Sequence, residues 1–231
     1  MGFLDGLKGN WTPTEVSQVA NHAESWFFMA EGLQSSADAL DALVRAPLLS
    51  YASNQNPETM LAAIVAEQKV PSMTLLYGFA LENAFKSAIV SDDPDFDYAG
   101  TDPSGTPYSK RVFSHNLVAL YDRIDKPVAL EVAERQFLDD LSIVVIAQGR
   151  YPIGKPKPGS RNTVVSYDPT TKDFVAKIMR STRDYLKRPT RRPPKSPPAG
   201  VVDFTTNPPP EVEGFVPILR QLGLHIFDVD A

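Results

Sequence analysis

The chain has 231 residues, 42% of them hydrophobic and 10% aromatic, enough to bury the core of one medium-sized domain and too apolar for a disordered polyelectrolyte. It contains no cysteine, which excludes a disulfide framework, a thiolate zinc site and a cysteine nucleophile. The net charge of −5 conceals an asymmetry: residues 150–195 hold 13 Lys/Arg against three acids, a net of +10, and the rest of the chain carries −15.

Taken in order, nearly every segment reads as helix. Thr12-Pro13-Thr14-Glu15 combines a capping threonine, a first-turn proline and a glutamate three positions on, which predicts a helix start. That helix should run to about Val44, with Trp26, Met29, Ala30, Leu33, Ala37, Leu40 and Val44 as its buried stripe. Asn56-Pro57-Glu58 opens a second, shorter helix carrying Leu61, Ile64 and Val65. A third begins near Pro71 and places Met73, Leu76, Tyr77, Ala80, Leu81, Ala84 and Ala88 on one side, with Glu82 and Lys86 four apart. Residues 91–109, rich in Asp, Pro, Gly and Ser, predict a long exposed loop. Its five aspartates do not match a twelve-residue calcium loop, which needs Gly at the sixth position and Glu at the twelfth, so no metal is expected there.

A short helix is expected from Ser114, with Leu117, Leu120, Tyr121 and Ile124 inward. The next spans roughly Val128 to Gln148 and buries Ala133, Phe137, Leu141, Val144 and Val145. Gly149-Arg150-Tyr151-Pro152 ends it, because Pro152 disfavours helical geometry at Tyr151. The loop that follows carries Lys155, Lys157 and Arg161 among prolines and glycines. An arginine at a helix end with cations behind it suits a phosphate or another anion, so Arg150, Tyr151, Lys155, Lys157 and Arg161 are the expected ligand-binding residues. Asp168-Pro169 caps a last helix to about Lys187, with Phe174, Ile178, Thr182 and Tyr185 on its face. Beyond it lie a basic, proline-rich linker, a short helix at 215–224 and two weak strand candidates at 201–204 and 225–229. The expected division is a helical bundle over 1–188 and a Pro-rich linker and tail over 189–231.

Three segments on successive helices have a recognisable order: Ala80-Leu81-Glu82-Asn83-Ala84-Phe85-Lys86, Ser114-His115-Asn116-Leu117-Val118-Ala119-Leu120, and Gly149-Arg150-Tyr151-Pro152. Together they resemble the HEPN superfamily, in which an AxExxxKA helix, a GHDLxxL helix and an RYPD helix end follow one another. The resemblance covers residues from about 14 to 187. Ser114 replaces the glycine, Asn116 the aspartate of GHDL, and Ile153 the aspartate of RYPD. It implies an all-α, up-and-down helical bundle with an irregular Pro-rich extension. It also implies a homodimer or a nucleotidyltransferase-like partner, and roles in RNA cleavage, toxin–antitoxin and phage-defence systems, or nucleotide binding.

Ribonuclease members of that family share an arginine followed after four to six residues by a histidine. The histidine supplies general acid–base chemistry near neutral pH, and the arginine a fixed cation for the phosphorane. Arg150 is the matching arginine, but Lys155, Pro156 and Lys157 stand where the histidine would fall. His115 follows Arg111 after three residues and Lys110 after four. If the chain is a nuclease, Arg150 and His115 are its expected catalytic pair. His22 and His225 have no partner at metal-ligand spacing, so neither metal nor cofactor is expected.

Three readings stand. The chain binds RNA, a nucleotide or another phosphate-bearing ligand without cutting it; it is a ribonuclease toxin with a composite Arg150/His115 site; or it is a scaffold that docks a protein through its basic, proline-rich tail. No apolar run reaches the roughly 18–20 residues of a membrane span, and the start of the chain lacks a signal-peptide pattern. A cytoplasmic protein without membrane attachment is expected.

Overall fold

The computed structural model describes residues 20–93, 95–124, 128–148 and 167–187, and every regular element among them is a helix. The predicted start at Thr12, the basic loop after Gln148 and everything beyond Lys187 lie outside the described residues.

The first long helix, α1 (Ala23–Ser53), does not continue an earlier one, because His22 is extended with φ −105° and ψ 117°. Asn21, just before it, is held by a distant loop: its side-chain carbonyl accepts from the Tyr98 amide at 2.6 Å. The helix runs through Pro47 to Ser53, nine residues past the expected end. Its buried face is Ala23, Phe27, Ala30, Ala37, Asp41 and Val44. Ala30, Ala37 and Val44 of the predicted stripe are buried and Trp26 and Leu40 pack partly buried against the core, whereas Met29 is exposed and Phe27 and Asp41, not expected inside, are buried. Ala30 and Ala37 are small enough to let a neighbouring helix come close.

Helix α2 (Pro57–Glu67) starts where expected. The Asn56 side chain accepts from the Thr59 amide at 2.9 Å, and Thr59 Oγ1 accepts from the Asn56 amide, a reciprocal cap around a first-turn proline. It buries only Ala63 and Ala66. Leu61, Ile64 and Val65 are exposed, Leu61 to 63%. Among the described helices α2 packs substantially on α1 alone, so one narrow alanine seam suffices and its larger apolar residues find no cover.

Helix α3 (Val70–Asp92) is the axis of the fold. Met73, Tyr77, Ala80, Leu81, Ala84, Phe85, Ala88 and Ile89 are buried, as are Glu82, Lys86 and Ser87 on other sides of the helix. A helix covered all round needs neighbours on every side. They are α1, α4 (Ser109–Val112), α5 (Leu117–Tyr121), α6 (Val132–Gln148) and α7 (Thr170–Leu186). The contact with α6 is close at Gly78, where an added Cβ would lie 2.3 Å from Val145 Cγ2. Gly78→Ala should therefore lower stability by about 1–2 kcal/mol through overpacking, although alanine is the better helix former. Urea unfolding of Gly78→Ala, Val145→Ala and the double variant checks this. The double variant should lose clearly less than the sum of the two singles, and simple additivity would show that the side chains do not compete for space.

The acidic segment between α3 and α4 is more ordered than its composition suggests. Phe96 and Tyr108 are buried with ring centroids 5.2 Å apart. Asp102 accepts from the Ser104 amide, the Ser104 hydroxyl and the Thr106 amide at 2.9, 2.6 and 2.9 Å. Those bonds hold its carboxyl below the usual range. Gly105, with φ +82°, closes the turn between the bridged residues Thr101 and Pro107.

Helix α5 is capped by Asn116, whose side chain accepts from the Ala119 amide at 2.8 Å. Helix α6 buries Leu138, Leu141, Val144 and Val145, while Ala133, expected inside, is exposed on its first turn. Phe137 packs edge-on against Phe174 of α7 at 5.2 Å. Asp168 accepts from the Thr170 amide at 2.8 Å at the start of α7, as the sequence suggests. The result is an all-α helical bundle built around α3.

Candidate functional site

The Glu82–Lys86 pair is part of the core and not a surface ion pair. Glu82 is 3% exposed and Lys86 7%, and Lys86 Nζ lies 2.5 Å from Glu82 Oε1. The Lys86 ammonium also lies 5.0 Å from the centroid of the Trp26 ring, so an aromatic face of α1 supplies part of its solvation. Trp26 is fixed in turn, its indole N–H donating to Ala20 O at 3.0 Å.

The second partner of Glu82 comes from 33 residues away. His115 Nδ1 is 2.9 Å from Oε2 and 3.1 Å from Oε1. An ionised carboxylate only accepts, so the hydrogen of this bond sits on Nδ1 and the ring's Nε2 is left for other work. Among the described residues, Nε2 has no hydrogen-bond partner, and the His115 side chain is 29% exposed. A buried carboxylate that fixes one nitrogen of a part-exposed ring, the other having no partner among the described residues, is an arrangement suited to proton transfer or to donation toward an anion. The segment around His115 is also held: Ser114 Oγ accepts from the Asn116 amide at 3.2 Å, and Ser142 Oγ of α6 accepts from the Leu117 amide at 2.9 Å.

Of the residues expected at the site, only His115 is among those described. Arg150, Tyr151, Lys155, Lys157 and Arg161 lie outside them. Helix α6 is described to Gln148, six residues beyond Ser142, which is about 9 Å along the axis at 1.5 Å per residue. Helix α6 is tied at Ser142 to the turn that carries His115.

The basic segment is partly neutralised within the fold. Lys172 faces Asp38 of α1 at 3.5 Å, Lys177 faces Glu134 of α6 at 2.6 Å, and Arg183 pairs with Glu31 of α1. Lys177 holds the Glu134 carboxyl below its ordinary value. Three of the cations in the +10 block therefore stitch α7 to its neighbours.

A second, partly buried polar cluster joins α1, α3 and the entry to α7. The Tyr77 hydroxyl donates to Asp38 Oδ1 at 2.7 Å and the Tyr167 hydroxyl to Asp41 Oδ1 at 2.9 Å. Arg45 Nε donates to the Tyr167 oxygen at 3.0 Å, and Arg45 also reaches the Pro169 carbonyl. Sequence reading treats these as ordinary helix residues. The signal was the spacing, since Asp38, Asp41 and Arg45 recur at three- and four-residue steps on one face of α1. These bonds tie α1 to α3 and to the entry to α7, so the cluster serves as a clamp.

No group of three or more His, Asp or Glu positioned to hold a metal occurs among the described residues. No described helix is long and apolar enough to cross a membrane. The chain matches no protein-family model, no curated protein and no solved structure.

Proposed function

We propose that the chain is a HEPN-like module that binds RNA, a nucleotide or another phosphate-bearing ligand at Arg150, Tyr151 and the basic loop of Lys155, Lys157 and Arg161. Its setting would be a bacterial or phage-defence or toxin–antitoxin system. The observation that supports this reading best is the Glu82–His115 hydrogen bond. It joins two of the three segments that carry the resemblance, 33 residues apart in sequence, within a helical bundle; the third segment, residues 149–152, lies outside the described residues. Association as a two-fold homodimer, or with a nucleotidyltransferase-like partner, belongs to the same reading. Binding is placed ahead of cleavage because Lys155, Pro156 and Lys157 occupy the positions where a catalytic histidine would follow Arg150.

One observation favours the composite ribonuclease as a second reading: the part-exposed His115 ring, oriented through Nδ1 by a buried carboxylate, has the form of a general acid–base. A paired experiment separates the two. Purified protein is incubated with labelled RNA, and separately titrated with RNA and nucleotides at low and high salt. The expected result is salt-sensitive binding, weakened about 10- to 100-fold in Arg150→Ala as a charge-assisted contact is lost, with the RNA recovered intact. Cleavage that vanishes in both Arg150→Ala and His115→Ala would establish the nuclease instead. Neither binding nor cleavage would remove both and leave a scaffold that docks a protein through its basic, proline-rich tail.

A further inference from the structure

Two residues before His115, the chain presents a large aromatic side chain to solvent. Phe113 is 65% exposed and ends α4 with φ −78° and ψ 62°. The Ser114 amide donates to Val112 O at 2.9 Å, which makes Phe113 the central residue of an inverse γ-turn. Such a turn places no demand on side-chain chemistry, so a polar residue would serve it equally well. A single exposed apolar residue is unremarkable by itself, and what sets this one apart is its surroundings.

One side of Phe113 is backed by a second ring. Tyr98, partly buried against the core, lies with its centroid 5.9 Å away and its plane tilted by 47°. Cations lie close by. Arg123 NH1 donates to the carbonyls of Lys110 and Arg111 on α4, so its guanidinium sits against the helix that Phe113 terminates. Lys110 is exposed on that helix. Neither Lys110 nor Arg123 has an acidic partner among the described residues, whereas Arg111 is paired with Asp93 at 2.5 Å. Two acids of the neighbouring loop are engaged elsewhere: Asp93 by Arg111, and Asp102 by the three bonds of its own turn. His115 completes the set, at most about 7 Å from Phe113 between Cα atoms along the chain.

An exposed ring braced by a second ring, with one cation on the adjoining helix, another lying against it and neither facing an acid among the described residues, is the combination that holds single-stranded nucleic acid: the ring takes a base face and the cations take the backbone. We propose that Phe113, braced by Tyr98, is a base-stacking platform, and that Lys110 and Arg123 bind the phosphate next to the stacked base. The platform accepts a purine or pyrimidine without reading its edge. The proposal rests on the reading of the chain as a nucleic-acid- or nucleotide-binding module, and it adds a contact surface on the opposite side of His115 in the sequence from Arg150.

The test uses the full-length chain and a short fluorescein-labelled oligoadenylate, followed by anisotropy at several salt concentrations. Phe113→Ala and Phe113→Leu should weaken binding on the order of tenfold or more, and Phe113→Trp should retain it. Lys110→Ala should reduce the slope of log affinity against log salt by about one. In Phe113→Trp, the added indole fluorescence, measured against the wild-type background, should be quenched as the oligonucleotide binds. Binding that is lost in Arg150→Ala but unchanged in Phe113→Ala and Phe113→Leu overturns the platform while leaving the Arg150 site standing. Binding that depends on Phe113 and not on Arg150 upholds the platform and removes the Arg150 site. If the wild-type chain binds no oligonucleotide, the platform and the reading beneath it both fail.

Discussion

Glu82→Ala should lower the unfolding free energy by about 3–5 kcal/mol, the cost of leaving a buried charge without its counter-ion. Lys86, 7% exposed, would keep the Trp26 face alone as a partner among the described residues, and water could not reach it without disrupting the packing around α3. His115 would lose its anchor in the same step. At roughly 2–4 °C per kcal/mol for a chain of this size, the thermal midpoint should fall on the order of 10 °C. A Glu82→Leu/Lys86→Met double variant separates lost charge pairing from lost packing. It removes both charges at similar volume and should recover much of the loss. A Glu82→Ala midpoint within about 2 °C of wild type would mean that the pair is effectively solvated, and the argument from burial would fail.

Alkali should destabilise the fold steeply. Burial raises the Tyr77 and Tyr121 phenols above the ordinary tyrosine value, and in Tyr77 the adjacent Asp38 carboxylate adds to the effect. Both side chains are buried at the centre of the bundle, and both hydroxyls donate, to Asp38 and to the Val128 carbonyl. The sign follows from linkage. A phenol with a raised folded-state value favours the fold fully below pH 10, where the unfolded chain is also protonated, and loses that contribution as pH climbs toward the folded value. Tyr77 removes about 1.4 kcal/mol per pH unit above 10, and Tyr121 adds to the loss in the same direction. Urea unfolding at pH 8, 10 and 11 should show this decline, and Tyr77→Phe should flatten it. A midpoint in Tyr77→Phe that tracks wild type between pH 10 and 11 would show that Tyr77 ionises freely in the folded chain.

The sequence discloses an element where a local signal and tertiary packing agree. Asn56-Pro57 caps α2 and Asp168 caps the entry to α7 because these residues act on backbone amides two or three positions away. Burial was harder to read. The pattern on α1 places Ala30, Ala37 and Val44 inward, as the helix does, but it also points to Met29, which is exposed, and passes over Phe27 and Asp41, which are buried. Leu61, Ile64 and Val65 look like core and are exposed, since apolarity in sequence does not guarantee a neighbour in space. At the site, the resemblance put Glu82, Lys86 and His115 in one family pattern. Only the three-dimensional contact shows that a carboxylate on α3 grips a ring 33 residues on, a relation that no helical period encodes. Phe113 escaped notice because nothing in its sequence neighbourhood marks a turn centred on it.

The uneven attachment of the helices has a consequence for motion. Helix α3 touches α1, α4, α5, α6 and α7, so none of these can detach without uncovering it, and they should open together as a cooperative unit. Helix α2 is held by an alanine seam on α1 and by its own cap. It can lift away at little cost in buried surface, with free energy well below that of global unfolding. Its amides should therefore exchange with solvent through local opening while those of α3 wait for the whole bundle to come apart.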